Sequence, residues 1–538
     1  MEIMENKQLH HLGIIAGICK EIGIGQMIDI YIPKPKRKVS VGKAAEAMII
    51  NALGFTGRAL YLTPKFMKNK PTDVLIGEGI SAEHLNEDSL GTALDALYNA
   101  GLTELFYNIA SCALKKFKIK HNFVHLDTTS ISLHGKYNSE ATFDDTRVIK
   151  ITKGLSKDNA PDLNQVVVSL MCTYKSSIPI WIEALSGNSS DKTSFRETIK
   201  LYRNNFNKKR LPYFVCDSAL YTKNNISQLT DISWVTRVPE TIKEAKLQIS
   251  KTNKNKMIVL KDGYYYRPVK SSYGEVDQRW VVVFSEKAYE REMKTFQKNL
   301  KKQTDDKQKE LWHLCNKEFA CEADAIKAAK EFVKKLKYHT IEYCAECRNH
   351  YSKKGRPTSK SKSTGSSWFI SAELKENQKT IKDATQRKGM FIIATNELET
   401  DRLSDKQLIS VYKAQGISVE RGFRFLKDPM FYAESLYLKS PHRIMALIMI
   451  MGLSLLVYAL AEQKIRKVMK ENNFTVNDQK RKPTHKPTIR WVFQLFEGIL
   501  YLVMNDGRKK IRKTMNIEDD HRTILKCLGP PYEKIYFL

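Results

Sequence analysis

The sequence predicts an α/β fold in which a mixed β-sheet is covered by helices. Apolar segments of strand length alternate with helical patterns between residues 119 and 239, and a further apolar strand near 389–395 resumes the pattern after a long charged stretch. Helical periodicity dominates residues 1–118 and the region after residue 440. At about 150 residues per domain, a chain of this length would hold three or four domains.

The composition is that of a globular protein with a large positive charge. Lys and Arg number 89 against 59 Asp and Glu, which leaves a net charge of +30. Such a charge favours a polyanionic partner, either nucleic acid or an anionic membrane surface, over a merely solvated basic surface. The nine scattered Cys argue against a disulfide scaffold and indicate a reducing cytosol. No secretory signal pattern begins the chain.

Residues 1–118 are predicted to form a helical N-terminal domain. Ser40 is placed to cap a helix that runs through Leu53, and a second apolar-periodic run extends from Leu90 to Leu114. A basic, proline-containing loop lies between helices at 33–38. Two interpretations stay open, a DNA-binding domain and a helical module that only packs against the rest.

Residues 119–239 are predicted to form the first part of an α/β core. Their elements are strands at 123–132, 165–174 and 178–185, a helix from Ser190 or Asp191 to about 203, a strand at 213–216, a helix at 223–229 and a strand at 233–238. In an RNase H-like sheet of this order, the first and fourth strands lie side by side and parallel. Their ends would bring Asp127 and Asp217 together, although 90 residues separate them.

The remainder divides into an insertion, a second part of the core and a tail. Residues 240–388 are predicted as an insertion of strands, a charged helical hairpin over 287–337 and a basic loop over 351–367. Residues 389–465 resume the core with a strand and a helix from Ser404 through Glu420 to Lys427. Residues 466–538 are predicted as a basic, helical C-terminal region.

The apolar segment from Ile444 to Ala461 has two interpretations. Its 18 residues reach the lower limit of a membrane span. A helix buried all round inside a large domain has the same composition. In a chain this highly charged we expect a core helix and no membrane association.

Three carboxylates stand out in the core. Asp127 lies within a strand, where Asp is depleted, and Asp217 directly follows one. Glu420 and Lys427 share a helix face, because seven residues make about two turns. Each alone has an ordinary explanation, as a satisfied Asp, a helix cap or a solvated pair. Together they supply three oxygen ligands for hard cations, which is what two Mg²⁺ in phosphoryl transfer require.

These residues belong to a larger set of motifs. The set comprises His125-Leu126-Asp127-Thr128-Thr129-Ser130, Gly154-Leu155-Ser156-Lys157-Asp158, Pro161-Asp162-Leu163-Asn164-Gln165, Gly187-Asn188 with Asp191, Asp217-Ser218-Ala219-Leu220-Tyr221, Trp234-Val235-Thr236-Arg237-Val238-Pro239 and Val419-Glu420-Arg421-Gly422-Phe423-Arg424-Phe425-Leu426-Lys427. In order and spacing they resemble transposases of the IS4-type DDE superfamily, most closely the IS1634 group. Residues 10–115 also resemble the helical N-terminal domain of that group.

The resemblance implies a specific site and reaction. It implies an RNase H-like core with an insertion before the last acidic residue, and Asp127, Asp217 and Glu420 as catalytic ligands of two Mg²⁺, for which Mn²⁺ can substitute. The reaction would be cut-and-paste transposition of an insertion sequence. The partners would be double-stranded DNA, as terminal inverted repeats and target, and a second protomer or more on paired ends. A prokaryotic cytoplasm with nucleoid association follows.

The signature around the last carboxylate is matched in part. The superfamily pattern is Tyr-x2-Arg-x3-Glu-x6-Lys, and Glu420-x6-Lys427 fits its second half. Lys427 is therefore expected to contact DNA phosphate, with Arg424 beside it. Tyr412 lies one position too far from Glu420, and Gly416 stands at the Arg position.

Two further motifs keep alternative interpretations. Cys344-x2-Cys347-x2-His350, with Cys315 and Cys321 upstream, is either a zinc site or a set of small residues. Lys354 and Arg356 flank a glycine before a proline, and are either minor-groove contacts or part of an exposed turn. The competing functions are a nuclease without strand transfer, an inactive DNA-binding relative and a membrane-anchored basic protein.

Overall fold

A computed structural model of the chain describes residues 2–32, 38–55, 60–135, 137, 145, 147–204, 211–351, 363–428, 438–505 and 510–537. The strands are β1 (Glu2–Gln8), β2 (Phe123–Leu133), β3 (Asn164–Thr173), β4 (Pro179–Leu185), β5 (Tyr213–Cys216), β6 (Trp234–Val238), β7 (Ile258–Leu260), β8 (Tyr264–Tyr273), β9 (Val276–Ser285), β10 (His339–Tyr351), β11 (Ser363–Glu376), β12 (Met390–Thr395), β13 (Val476–Asn477), β14 (Pro483–Thr484), β15 (Leu500–Asn505) and β16 (Lys510–Met515).

The helices begin and end as follows. They are α1 (Leu12–Ile22), α2 (Ile24–Tyr31), α3 (Val41–Leu53), α4 (Thr63–Met67), α5 (Thr72–Leu75), α6 (Glu87–Ala100), α7 (Leu102–Lys116), α8 (Asp191–Asn204), α9 (Lys223–Ser227), α10 (Lys243–Ser250), α11 (Glu286–Cys315), α12 (Glu322–Lys334), α13 (Gln378–Thr385), α14 (Asp405–Lys413), α15 (Gln415–Leu426), α16 (Pro441–Asn472), α17 (Ile489–Leu495), α18 (Asp519–Leu528) and α19 (Pro530–Ile535).

The chain forms two compact units. The first consists of Met1–Thr236, Ser272–Gln278 and Thr395–Leu538, and the second of Arg237–Ser271 and Arg279–Ala394. The second unit corresponds closely to the predicted insertion. The helices before residue 118 and the region after residue 466 belong to the same unit as the core strands.

The first unit holds a five-stranded portion of a mixed sheet in the order β4-β3-β2-β5-β6. Strands β2, β3 and β4 are antiparallel neighbours, whereas β2, β5 and β6 are parallel. The first and fourth strands of the core are thus adjacent and parallel, as predicted. The crossovers from β4 to β5 and from β5 to β6 contain α8 and α9, as parallel connections require.

Two consecutive helices cover one face of this sheet. The sequence predicted one helix from Ser404 to Lys427, but α14 and α15 are separated at Ala414. Ser404 caps the first of them, since its side chain accepts from Gln407 N. A Cβ added at Gly422 would lie 2.8 Å from Leu170 Cδ2. The glycine therefore lets α15 approach β3 closely.

Helix α16 is the buried centre of the first unit. Its most apolar window is long enough to cross a membrane by length and composition, yet 89% of that window is buried. The helix packs against α1, α3, α6, α7, β4 and α18. A Cβ added at Gly452 would lie 2.8 Å from Ile182 Cγ2, so the helix contacts β4 closely. This burial is what the core-helix interpretation of 444–461 predicts.

The two ends of the chain contain strands that the sequence analysis did not predict. Strand β1 pairs with β15, which pairs with β16, all antiparallel. The expectation of purely helical regions at 1–118 and 466–538 is therefore wrong in part. Tyr536 Oη also donates to the His10 carbonyl at 2.6 Å. These pairings join segments hundreds of residues apart, so local periodicity carries no sign of them.

The second unit contains strands in the order β12-β9-β8-β7 and the predicted helical pair α11 and α12. A long antiparallel hairpin pairs β10 with β11, and β11 begins inside the stretch 351–367 that was predicted as a basic loop. The hairpin packs against the helical pair through a hydrophobic core that contains Leu311 of α11, Phe332 of α12, Ile341 of β10 and Ile370 of β11. Residues 352–362, with Lys354 and Arg356, lie outside the described residues.

A buried histidine makes stability depend on pH. His11 Nε2 donates to the Leu53 carbonyl at 2.9 Å, and its ring stacks on Phe493. Burial lowers the pKa of His11 from 6.5 to about 4. The unfolded chain binds the proton near pH 6.5, whereas the folded chain resists it down to about pH 4. We therefore expect the free energy of unfolding to fall by about 1.4 kcal/mol per pH unit as pH drops through this window.

Urea unfolding of the wild type and of His11→Gln near pH 7 and pH 5 measures this contribution. The stability difference between the two proteins should shrink on acidification, because the amide does not titrate. Other groups with shifted pKa values are present in both proteins, so their contributions cancel in the stability difference. His485→Gln, at an exposed position, should keep the wild-type pH dependence. An unchanged pH dependence in His11→Gln would contradict the assignment.

Candidate active site

Asp127 and Asp217 lie at the same level on neighbouring parallel strands. The register of β2 and β5 pairs His125 with Val215, and continuing it by two residues brings Asp127 of β2 level with Asp217, which directly follows the end of β5. Neighbouring strands are about 4.8 Å apart. Asp217 also caps the short turn after β5, because its Oδ1 accepts from Ala219 N at 2.8 Å. The structure thus brings together the two aspartates that the sequence analysis selected.

Both carboxyl groups are partly buried, and this changes their acidity. The pKa of Asp127 is raised to about 7, mainly by burial, while Lys157 opposes the rise and the nearby Asp217 and Asp191 carboxylates contribute to it. Burial also raises the pKa of Asp217, and Asp191 adds to this effect. Two desolvated carboxylates side by side disfavour each other's ionisation. An added cation at this position would relieve both effects.

Lys157 and Asp191 form a polar frame around this pair to which the sequence analysis gave no catalytic role. Lys157 Nζ donates to the Thr128 carbonyl at 2.7 Å and lies 3.0 Å from Asp191 Oδ2. Thr128 Oγ1 donates to Asp191 Oδ1. These contacts connect Thr128, the neighbour of Asp127 in β2, to Asp191 at the start of α8. Both residues carry a signal in the sequence, since Lys157 and Asp191 belong to the motif set and Asp191 stands at the predicted start of α8.

The Asp127 side chain points to the face of the sheet that α14 and α15 cover. Asp127 is paired with Leu170 and His125 with Cys172, and directly paired residues of antiparallel strands share a face. Leu170 contacts α15 at Gly422. His125 Nε2 donates to the Val411 carbonyl of α14 at 2.9 Å. The helix that carries Glu420 therefore packs on the Asp127 side.

Glu420 itself does not join the two aspartates. Its side chain is exposed, and its carboxylate lies back along α15, 3.2 Å from a Cβ added at Gly416. Among the described residues, no hydrogen bond or ion pair holds it, and no group of three His, Cys, Asp or Glu is arranged to bind a metal. The structure thus assembles two of the three expected ligands and places the third on the adjoining helix.

The predicted phosphate contacts have different surroundings. Lys427 Nζ forms an ion pair with Asp158 Oδ1 at 2.5 Å, in the loop that also carries Lys157. Arg424 is exposed, one helical turn after Glu420. Tyr412 is half-buried in α14. The Lys427 ammonium, which was expected to contact DNA phosphate, is therefore already paired with the carboxylate of Asp158.

The geometry of β10 argues against the zinc interpretation. Cys344 and Cys347 are three residues apart in an extended strand, so their side chains point to opposite faces. His350 shares a face with Cys344 only. Cys344 and Cys347 are exposed free thiols. Within the described residues the spacing that suggested a zinc motif therefore does not produce one.

A family model described as "Transposase DDE domain" matches residues 120–458, which span β2 to the middle of α16. The chain belongs to the DDE transposase family. The match includes Asp127, Asp217 and Glu420. A second model, described as a domain of unknown function (DUF4277), matches residues 4–111, which cover β1 and the N-terminal helices. The matched region thus contains the core strands of the first unit and the whole of the second unit.

Other comparisons add little to this assignment. No curated protein matches the chain significantly. A solved structure titled "Cryo-EM structure of piggyBac transposase synaptic complex with hairpin DNA" aligns at 8% identity with a TM-score of 0.36, covering 90% of this chain and 77% of that one. A TM-score this low does not establish a common fold. The DDE transposase assignment rests on the family model.

Proposed function

We propose that this DDE transposase is a member of the IS1634 group of the IS4-type superfamily, which cuts DNA at the ends of an insertion sequence and joins them to a target. The observation that supports it most directly is the Asp127–Asp217 pair on adjacent strands, on the sheet face covered by the helix of Glu420. The net charge of +30 suits a polyanionic substrate. We place the protein in a prokaryotic cytoplasm, associated with the nucleoid.

The donor set fits a hard divalent cation. Asp127, Asp217 and Glu420 offer only carboxylate oxygens, which Mg²⁺ and Mn²⁺ prefer. The raised pKa of both aspartates indicates a site that gains from added positive charge. We propose that two Mg²⁺ bind there and that Glu420, held by no described partner, completes the set. When bound, such ions lower the pKa of the attacking hydroxyl and stabilise the leaving oxygen.

In the proposed in-line displacement, each of these residues has a distinct role. Asp127 and Asp217 would hold the cations that face the scissile phosphate, and Lys427 and Arg424 hold flanking phosphates from the C-terminal end of α15. Water attacks phosphorus, the bond from phosphorus to the bridging 3′ oxygen breaks, and a 3′-hydroxyl and a 5′-phosphate result. In strand transfer that 3′-hydroxyl attacks a phosphate of the target. No covalent bond to the protein forms.

Replacing any one of the three carboxylates should abolish strand cleavage. We expect Asp127→Ala, Asp217→Ala and Glu420→Ala to lose cleavage while DNA binding stays close to wild type, because affinity comes mainly from Lys and Arg contacts to phosphate. Glu420→Ala should also unfold like the wild type, since the side chain is exposed and unpaired among the described residues. Cleavage of a labelled duplex that carries the sequences flanking the gene, with Mg²⁺, measures the first effect and a gel shift the second.

Asp401→Ala is the matched control, because it removes one exposed carboxylate of the same unit. It should cleave like the wild type. A carboxylate variant that cleaves within about tenfold of wild type, or about 1.4 kcal/mol of barrier, is not a ligand. Cleavage without joining to a second duplex would instead indicate a nuclease without strand transfer.

The ion pair between Lys427 and Asp158 should compete with DNA. Removing the carboxylate in Asp158→Asn frees the Lys427 ammonium, so we expect tighter duplex binding and a salt dependence steeper by about 0.9 in the logarithmic slope. Lys427→Gln should weaken binding, and the double variant should match Lys427→Gln. Fluorescence anisotropy over a range of salt concentrations measures each.

Asp162→Asn tests whether the gain is specific. It removes the same charge from an exposed position in the same loop, with no ion pair to Lys427. If Asp162→Asn tightens binding as much as Asp158→Asn, the gain reflects net charge alone and the Lys427 contact is not supported.

We further propose that the protein acts as a homodimer or larger assembly on paired DNA ends. One site holds one scissile phosphate, whereas excision requires cuts at two ends, and two-fold pairing is the simplest arrangement that brings them together. The charge of +30 per chain opposes assembly without DNA. Light scattering should find two or more protomers with end DNA. A complex of one protomer and one DNA end that cleaves at the full rate would contradict this proposal.

A further inference from the structure

A groove lined by cations lies along α15, the helix that carries Glu420. It has a volume of about 630 Å³ and is formed by the turn between β3 and β4, the C-terminal half of α15, the second half of α16 and residues 486–490 before and within α17. All these segments belong to the first unit. We call it the basic groove. None of its residues belongs to the Asp127–Asp217 pair.

The charges of the basic groove are unbalanced. Eight Lys and Arg line it, against the two carboxylates Glu462 and Asp428. Glu462 is buried and accepts from Arg421 at 2.6 Å and lies 2.7 Å from Arg466 Nη1, and Asp428 pairs with Arg490 at 2.7 Å. The other five cations are Lys175, Arg424, Lys467, Lys470 and Lys486.

These five cations are available to an external anion. Each is exposed, and none has a carboxylate within 4.0 Å among the residues that the structure describes. They come from four different segments, namely the turn between β3 and β4, α15, α16 and the segment before α17. A small anion is usually held by donors that surround it, whereas separated cations suit a chain of phosphates.

The spacing along α16 agrees with a nucleic-acid backbone. Residues 462 to 470 extend about 12 Å at 1.5 Å per residue. Successive phosphates of one DNA strand advance about 3.4 Å along the duplex axis, so this length faces about three or four of them. Arg424 lies four residues after Glu420 on the exposed side of α15, about 6 Å along the helix axis. The groove therefore continues from the candidate ligand Glu420.

The floor of the groove is held in a fixed shape. Phe55, Phe425 and Tyr458 contact each other, with a ring distance of 4.7 Å between Phe425 and Tyr458. The guanidinium of Arg490 lies 5.6 Å from the centre of the Phe55 ring. The segments that carry the cations are thereby ordered before binding, so their ordering adds no cost to the binding free energy.

We propose that the basic groove binds the sugar–phosphate backbone of the duplex on one side of the scissile phosphate. The inference rests on the proposed function, which makes DNA the substrate, and adds where the flanking DNA lies on this chain. Lys467, Lys470 and Lys486 are the principal contacts from α16 and the segment before α17. Contacts of this kind position DNA and are independent of its sequence.

The test uses the full-length protein and a triple variant. Lys467→Gln, Lys470→Gln and Lys486→Gln together remove three exposed charges, which leaves the fold close to unchanged. The control combines Lys298→Gln, Lys301→Gln and Lys302→Gln, which remove three exposed charges from α11 of the second unit. Anisotropy of two fluorescent duplexes of unrelated sequence is followed as salt is raised.

The groove triple should bind both duplexes more weakly and lower the slope of log affinity against log salt by about 2.7, at about 0.9 per lost phosphate contact. The α11 triple should keep the wild-type slope. Equal slopes for the two triples, or a groove triple that binds like the wild type, would overturn the proposal. Inorganic phosphate that displaces the duplex better than chloride at equal ionic strength, only from the wild type, would indicate a small-anion site and would also overturn it.

These outcomes separate the groove from the proposed function. If the wild type binds duplex with a steep salt dependence and the groove triple does so equally, only the groove assignment fails. If the wild type binds no duplex at any salt concentration, or Asp127→Ala cleaves like the wild type, the proposed function fails first.

Discussion

The burial of α16 is the constraint on which the first unit depends. The helix is apolar on every side, so each of its faces requires a neighbour, and the N-terminal helices, the sheet and the C-terminal helices supply them. Burying a Leu, Ile or Met side chain contributes about 1.5–3 kcal/mol, and α16 buries many of them. Elements from both ends of the chain are consequently held around one helix. Its last turns then become polar and form one wall of the basic groove.

Within this frame, one buried carboxylate organises the polar end of α16. Glu462 accepts from Arg421 of α15, pairs with Arg466 and accepts from Ile489 N at the start of α17. Separating the buried Glu462 carboxylate from these partners would cost folding free energy. The contacts therefore hold α15, α16 and α17 in place relative to each other. The orientation of α15, which carries Glu420 and Arg424, therefore depends on a residue that has no part in the proposed chemistry.

The candidate site itself is electrostatically unfavourable in the isolated chain. Asp127 and Asp217 are partly buried next to each other, and Asp191 adds a third acidic group nearby. Lys157 offsets part of this, through Asp191 and the Thr128 carbonyl. Carboxylates whose pKa is raised in this way are common where a protein binds cations or transfers protons.

Local sequence patterns were sufficient for most of the core. Period-two and apolar runs identified β2 to β6 and β12, and their order predicted the adjacency of Asp127 and Asp217, because a parallel crossover leaves few alternatives. The low charge and length of 444–461 identified the buried helix. The cap at Ser40 and the helix start at Ser404 were also visible, since capping depends only on neighbouring backbone amides.

Tertiary structure alone decided the rest. Strand β1 requires β15 as its partner, and the hairpin of β10 and β11 is stabilised by a helical pair, so neither is specified by its own segment. The break between α14 and α15 follows from how both helices fit the sheet at Val411 and Gly422. The sequence by itself determined which carboxylates are candidates. Only the packing of α15 decided that Glu420 lies on the exposed side of its helix, because side-chain direction depends on which face a helix buries.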